Sequence, residues 1–293
     1  MRVQRVWIAA AMGLALALGY AAPEARGQED EAGRQEAPAR GHTQAPPQQA
    51  APAGEARIDP QATAVVRRMA DYLRARPGFT VTVDSMTEEV LPDGQRVQSL
   101  VRREVAMQHP NRLRSERGGE LAPVTFIYDG DNIMLKDHRR NVFSMIDAPS
   151  NLDGTLNFAR DRLGIDALVA DLLYTDAYRG LTEEARSARY LGRVEVDGVV
   201  CDHVAFRGEH SDWQLWVETG ERPLPRRYTL VLTDQPSRPE FVVELRDWDV
   251  NPTFPPGEFA ITSPQNARRV ELDELLANAG MAPRRADREG QPG

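Results

Sequence analysis

One cysteine, Cys201, is all that the 293-residue sequence contains. No intramolecular disulfide can form, and no cysteine follows the amino-terminal apolar stretch to carry a lipid. Basic residues are in the minority, 36 Lys and Arg against 44 Asp and Glu, and a net charge of −8 argues against a nucleic-acid partner. Gly-x-Ser-x-Gly, His-Glu-x-x-His and phosphate-loop signatures are missing, so no familiar catalytic centre announces itself. No internal repeat of solenoid or propeller period is found. The apolar run at residues 6–18 is too short for a helix that crosses a bilayer, which takes ~20 residues.

What is present begins with an address. Arg2 and Arg5 precede that run and small residues follow it, with Ala25-Arg26-Gly27 or Gly19-Tyr20-Ala21 as cleavage sites. This pattern predicts a secretory signal peptide over residues 1–27 and a periplasmic mature chain with no stable membrane span. Residues 28–57 are rich in Ala, Pro, Gln and Gly and lack apolar periodicity. They are expected to form a disordered linker, because nothing in them offsets the entropy of ordering.

Order is expected from Asp59-Pro60, a helix cap followed by a residue suited to the first turn. Val65, Val66, Met69, Tyr72 and Leu73 then form a stripe at helical spacing, which Pro77-Gly78 ends. From Phe79 the period becomes two. Phe79, Val81 and Val83 alternate with Thr80, Thr82 and Asp84; after a turn at Pro92-Asp93-Gly94, Val97, Val101, Val105 and Met107 continue the pattern. Short strands are predicted near 112–117, 124–129, 133–136 and 142–146. Residues 151–181 break the alternation. Leu156, Phe158, Ala159 and Leu163, then Leu168, Leu172 and Leu173, predict two short helices with a bend at Gly164. Strands resume at Tyr190 and run to Trp248, with a type I′ turn at Asp197-Gly198. A final short strand is expected at 259–262, a brief helix at 271–277 and a frayed tail to 293. The count is about eleven antiparallel strands, with one leading helix and a helical insertion: a mainly β fold with α segments (α+β).

Several runs carry a family resemblance. They are the Asp59-Pro60 opening, Pro110-Asn111-Arg112-Leu113-Arg114, Tyr128-Asp129-Gly130 and Asp171-Leu172-Leu173-Tyr174. The most specific are Val199-Val200-Cys201-Asp202-His203-Val204-Ala205-Phe206, Asp212-Trp213-Gln214-Leu215-Trp216 and Pro223-Leu224-Pro225-Arg226. On these the chain resembles an uncharacterised family of predicted periplasmic proteins with a LolA/LolB-like lipoprotein-carrier fold. The resemblance implies a curved antiparallel half-barrel of about eleven strands over residues 58–270, with helices on its concave side. The related carriers hold acyl chains between sheet and helices. Residues 271–293 would be a short helix and flexible tail.

The candidate chemistry is thin. Asp202 and His203, with His210 and Asp212, are the nearest thing to a metal site, yet strand neighbours point to opposite faces. Tyr128-Asp129-Gly130-Asp131-Asn132 looks like a calcium loop but lacks its later acidic ligand, so it is read as a hairpin turn. Cys201 is read as a buried thiol, and Ser85, Ser99 and Ser144 have no marked partner. Trp213, Trp216 and Trp248 are read as core, and Glu218, Arg226 and Arg227 as cross-strand pairs. Arg67-Arg68 and Arg139-Arg140 are read as solvated surface. We therefore expect no catalytic residue, metal or cofactor. The expected activity is binding of a lipid or another elongated apolar ligand, lined by Val81, Val83, Val101, Phe126, Leu172, Leu173, Val204 and Leu215. The alternative is a module that binds an envelope protein partner.

Overall fold

Asp59 caps the first helix as expected. Its carboxylate accepts the Gln61 N–H at 2.8 Å, and Pro60 occupies the first turn of α1 (Pro60–Arg74). Ala62, Val65, Val66, Met69, Ala70 and Leu73 form the buried face of this helix. The computed structural model describes residues 57–278, apart from 92, 120, 121, 164–166 and 236. The expected signal peptide, the linker up to residue 56 and the terminal tail beyond residue 278 lie outside these residues. So do Pro92 and the bend at Gly164, and the side chain of Leu168.

The strands β1 (Gly78–Val90), β2 (Arg96–Gln108), β3 (Arg112–Gly119), β4 (Val124–Tyr128), β5 (Asn132–Asp137) and β6 (Val142–Asp147) form a meander. The helices α2 (Leu152–Leu163), α3 (Ala167–Leu173) and α4 (Ala177–Thr182) follow. A second meander comprises β7 (Ser187–Val196), β8 (Val199–Arg207), β9 (Ser211–Glu218), β10 (Pro225–Leu232) and β11 (Glu240–Asp249). Last come β12 (Arg268–Arg269) and α5 (Leu272–Asn278). The meanders join where β1 pairs β11, giving one sheet in the order β12-β6-β5-β4-β3-β2-β1-β11-β10-β9-β8-β7. Every pairing is antiparallel except β12 with β6.

Strict alternation sorts the side chains. On β9, Ser211, Trp213, Leu215 and Val217 are buried while the residues between them are half-exposed. The inner faces of both meanders and the buried faces of all five helices belong to one apolar cluster. The helical roof is more divided than its apolar spacing predicts. Asp176 caps α4 by accepting the Arg179 N–H at 3.0 Å, so a third helix follows the two expected.

The final strand also differs from expectation. Residues 259–262 form no strand: the chain leading into them is wound into turns, with the Glu258 N–H given to Pro255 O and the Ala260 N–H to Gly257 O. The last strand is the two-residue β12 instead. Ile261 and Ala267 pack on Ile127, Met134 and Phe143, covering the outer face of β4 to β6.

The Asp197-Gly198 turn has φ of 49° and 79°, the double positive that a two-residue hairpin demands. A Cβ on Gly198 would meet no atom within 4 Å, so only backbone strain opposes one. Gly198→Ala should therefore cost about 1–2 kcal/mol in chemical denaturation, with the denaturant slope unchanged.

Candidate functional site

The inner face of the sheet is a trough, and α2 to α4 roof it. All eight residues expected to line a ligand are buried, none more than 8% exposed. Val81, Val83, Phe126, Val204 and Leu215 come from the wall and Leu172 and Leu173 from the roof, within one apolar cluster. Val101 is buried on β2 but stands outside that cluster. The sequence leads one to expect roomy space between wall and roof. The packing is tighter. A cavity of ≈ 20 Å³ separates Val105, Leu113 and Phe126 on the wall from Leu156, Ala159, Ala170 and Leu173 on the roof. That holds roughly one water molecule. A second cavity of ≈ 30 Å³ lies at the rim, among Asp171, Leu181, His210, Trp213 and Tyr228.

Polar contacts fasten the roof at its margins. The Arg67 guanidinium lies 3.8 Å over the Tyr178 ring, joining α1 to α4. Tyr228 Oη donates to Asp171 at 3.3 Å, joining β10 to α3. Asp153 accepts both the N–H and the hydroxyl of Thr175 at 2.9 Å. Inside, two hydroxyls are buried without a hydrogen-bond partner among the described residues: Tyr128 Oη on β4 and Thr155 Oγ1 on α2. Each such orphan costs about 1–3 kcal/mol.

The residues weighed for metal chemistry are kept apart. Asp202 is buried on the inner face, where it accepts from Arg68 Nη2 at 2.9 Å, Tyr190 Oη at 2.7 Å and Arg193 Nε at 3.3 Å. Burial pushes its carboxyl pKa up, but these hydrogen bonds outweigh burial and leave it below the usual value. Its strand neighbour His203 is on the outer face, stacked on Trp216 at 4.1 Å with Nε2 2.9 Å from Gln214 Oε1. Burial lowers the His203 pKa, so the ring is neutral at pH 7. His210 lies 3.6 Å from Asp234, and Asp212 accepts from Arg207 at 3.1 Å. Asp129 accepts the N–H groups of Asp131 and Asn132 at 3.0 and 2.8 Å, which commits it to the turn. Among the described residues, no group of three or more His, Cys, Asp or Glu side chains is placed to hold a metal.

Arg67 and Arg68 are exposed, as read from the sequence, and each also has a partner: Arg67 stacks on Tyr178 and Arg68 grips Asp202. Of the tryptophans, Trp213 stacks on Phe206 at 3.9 Å in the core, and Trp248 lies 5.3 Å from Phe79. Trp216 faces outward beneath Arg227. Arg226 pairs with Glu218 at 2.5 Å, and Arg227 with Glu244 at 2.7 Å. Cys201 is fully buried, and desolvation, with Glu218 nearby, raises its thiol pKa to about 11. A thiol reagent at pH 7.5 should thus find roughly one thiolate in a few thousand. The native protein should label at least a hundredfold more slowly than the urea-unfolded chain, measured by absorbance of the released thiol anion.

A family model described as a predicted periplasmic protein matches residues 62–273, most of the folded chain. The chain belongs to the DUF2092 family of predicted periplasmic proteins. No curated protein matches the DUF2092 chain in sequence. Among solved structures it is similar to LprF from Mycobacterium bovis, at 13% identity and a TM-score of 0.44 over 70% of this chain and 100% of that one. It is similar to the lipoprotein LppX from Mycobacterium tuberculosis, at 14% identity and a TM-score of 0.40 over 67% and 98%. A LolA superfamily protein from Nitrosomonas europaea matches at 11% identity and a TM-score of 0.33 over 68% and 97%. Among the described residues of the DUF2092 protein, no helix is long and apolar enough to cross a membrane.

Proposed function

We propose that the protein is exported by residues 1–27 and binds a lipid or another elongated apolar ligand in the periplasm, between the trough and its roof. The observation that carries this reading is the chemistry of the seam between them. Seven of the nine residues around the ≈ 20 Å³ cavity are apolar; Arg103 and Ser115 are the others. The roof consists of helices of twelve, seven and six residues, too short to be stable without the sheet. A ligand enters by lifting α2 and α3 and taking over their apolar contacts. Tyr128 Oη and Thr155 Oγ1 are hydrogen-bonding sites for its carboxyl or ester oxygens. No step of this reading calls for a catalytic residue or a cofactor.

The test is native mass spectrometry of the protein purified from an envelope fraction without detergent, with titration of a fluorescent long-chain fatty acid. Bound lipid of one to one stoichiometry and saturable probe uptake are expected. A protein that carries no lipid and leaves the probe in water would remove the proposal.

A further inference from the structure

Among the described residues the sheet ends at β7, which pairs with β8. Its first half is closed. Ala188 exchanges hydrogen bonds with Arg57 and Asp59, and the Tyr190 N–H reaches the Asp59 carboxylate at 3.2 Å. A bulge between Tyr190 and Gly192 then reverses the inward and outward phases. Val196 and Val199 flank the two-residue turn and so form a hydrogen-bonded pair, as do Val194 with Cys201 and Gly192 with His203. That leaves the backbone N–H and C=O groups of Arg193 and Glu195 pointing away from β8.

This edge is where the molecule exposes apolar bulk. Among the described residues, five large hydrophobic side chains are exposed, and four are here: Ile58 at 42%, Leu191 at 48%, Val194 at 38% and Val200 at 49%. Edge strands usually carry charge that discourages pairing. Here the charges are complementary under a two-fold rotation. An antiparallel copy centred on Val194 sets Arg193 opposite Glu195 of the second copy, Glu195 opposite its Arg193, and Val194 against itself. Both opposite-charge pairs fall at positions whose backbone groups point outward, so the ladder and the charges share one register.

We propose that the outer edge of β7 pairs antiparallel with β7 of a second copy about a two-fold axis at Val194. The two sheets become continuous across the dimer. The contact is short, so association is weak and depends on concentration.

Val194 meets its symmetry mate at a non-hydrogen-bonded pair, with Cα atoms about 4.5 Å apart. That distance suits a disulfide. Under mild oxidation, Val194→Cys in the full chain, combined with Cys201→Ala, which removes the thiol directly across the hairpin, should give a disulfide-linked dimer, while Leu100→Cys in the same background, exposed on β2, stays monomeric. Light scattering from micromolar to several hundred micromolar should show reversible dimerisation of the wild type. Glu195→Arg sets arginine against Arg193 and should weaken the dimer tenfold or more. Arg193→Glu combined with Glu195→Arg should restore it, with melting curves confirming the fold, because Arg193 also touches Asp202. A wild type monomeric throughout overturns the proposal. So does a dimer that Glu195→Arg leaves unchanged and Val194→Cys fails to cross-link.

Discussion

Replacing Asp202 by alanine should lower the unfolding free energy by about 2–3 kcal/mol. Asp202 is buried on β8 and accepts from α1 through Arg68, from β7 through Tyr190, and again from β7 through Arg193. Removing one partner of a buried ion pair costs ~3–5 kcal/mol when the other charge stays buried. Here the arginine side chains are 50% and 68% exposed and can turn to water, which reduces the penalty. For a domain of this size the melting temperature should fall by about 4–10 °C. Asp202→Asn, which can still accept from Tyr190, should fall by about half as much.

The same carboxylate gives the pH signature. Its folded pKa lies below its unfolded value, so the unfolded chain binds more protons in acid. The stabilisation is complete above the unfolded value of ~3.9 and fades as pH falls through the lower, folded one. The gap in melting temperature between wild type and Asp202→Asn should be constant from pH 6 to 8 and narrow below about pH 4. A gap that instead widens in acid would show that Asp202 is not held as a carboxylate.

Much of this fold was legible because it is written locally. Alternation reveals the long strands such as β1, β2 and β9 and their inner faces, Asp59-Pro60 announces the first helix, and Asp197-Gly198 requires a hairpin. What escaped is written over distance. Arg68 and Asp202 are 134 residues apart, and neither is unusual until α1 is laid across β8. The pairing of β12 with β6 joins Arg268 to Val142 and has no periodic signal, since two residues make no pattern. The fullness of the trough was illegible for a different reason. Apolar spacing shows which residues face inward but not how closely they pack, and the ≈ 20 Å³ left beside Ala170 is decided by side-chain shape.

That tight packing turns the ligand proposal into a statement about chain length. Lifting α2 and α3 uncovers Leu156, Leu163, Leu172 and Leu173, all buried in the core. At ~1.5–3 kcal/mol for each leucine, opening costs about 6–12 kcal/mol. A ligand offsets this at ~0.8 kcal/mol for each methylene it buries. An eight-carbon chain supplies about 6 kcal/mol, at the lower edge of the cost, and a sixteen-carbon chain about 12, at its upper edge. Affinity should therefore rise steeply with length, by up to about fourfold per methylene. In competition against a fluorescent sixteen-carbon probe, octanoate should displace nothing at millimolar concentration. Dodecanoate should compete weakly, and hexadecanoate at least a hundredfold better than dodecanoate, all below their micelle concentrations. Equal competition by all three would place the probe on the protein surface. A ligand that must displace four leucines cannot be short: the slope of affinity against length reads the burial of each methylene, and the length at which competition first appears reads the cost of that displacement.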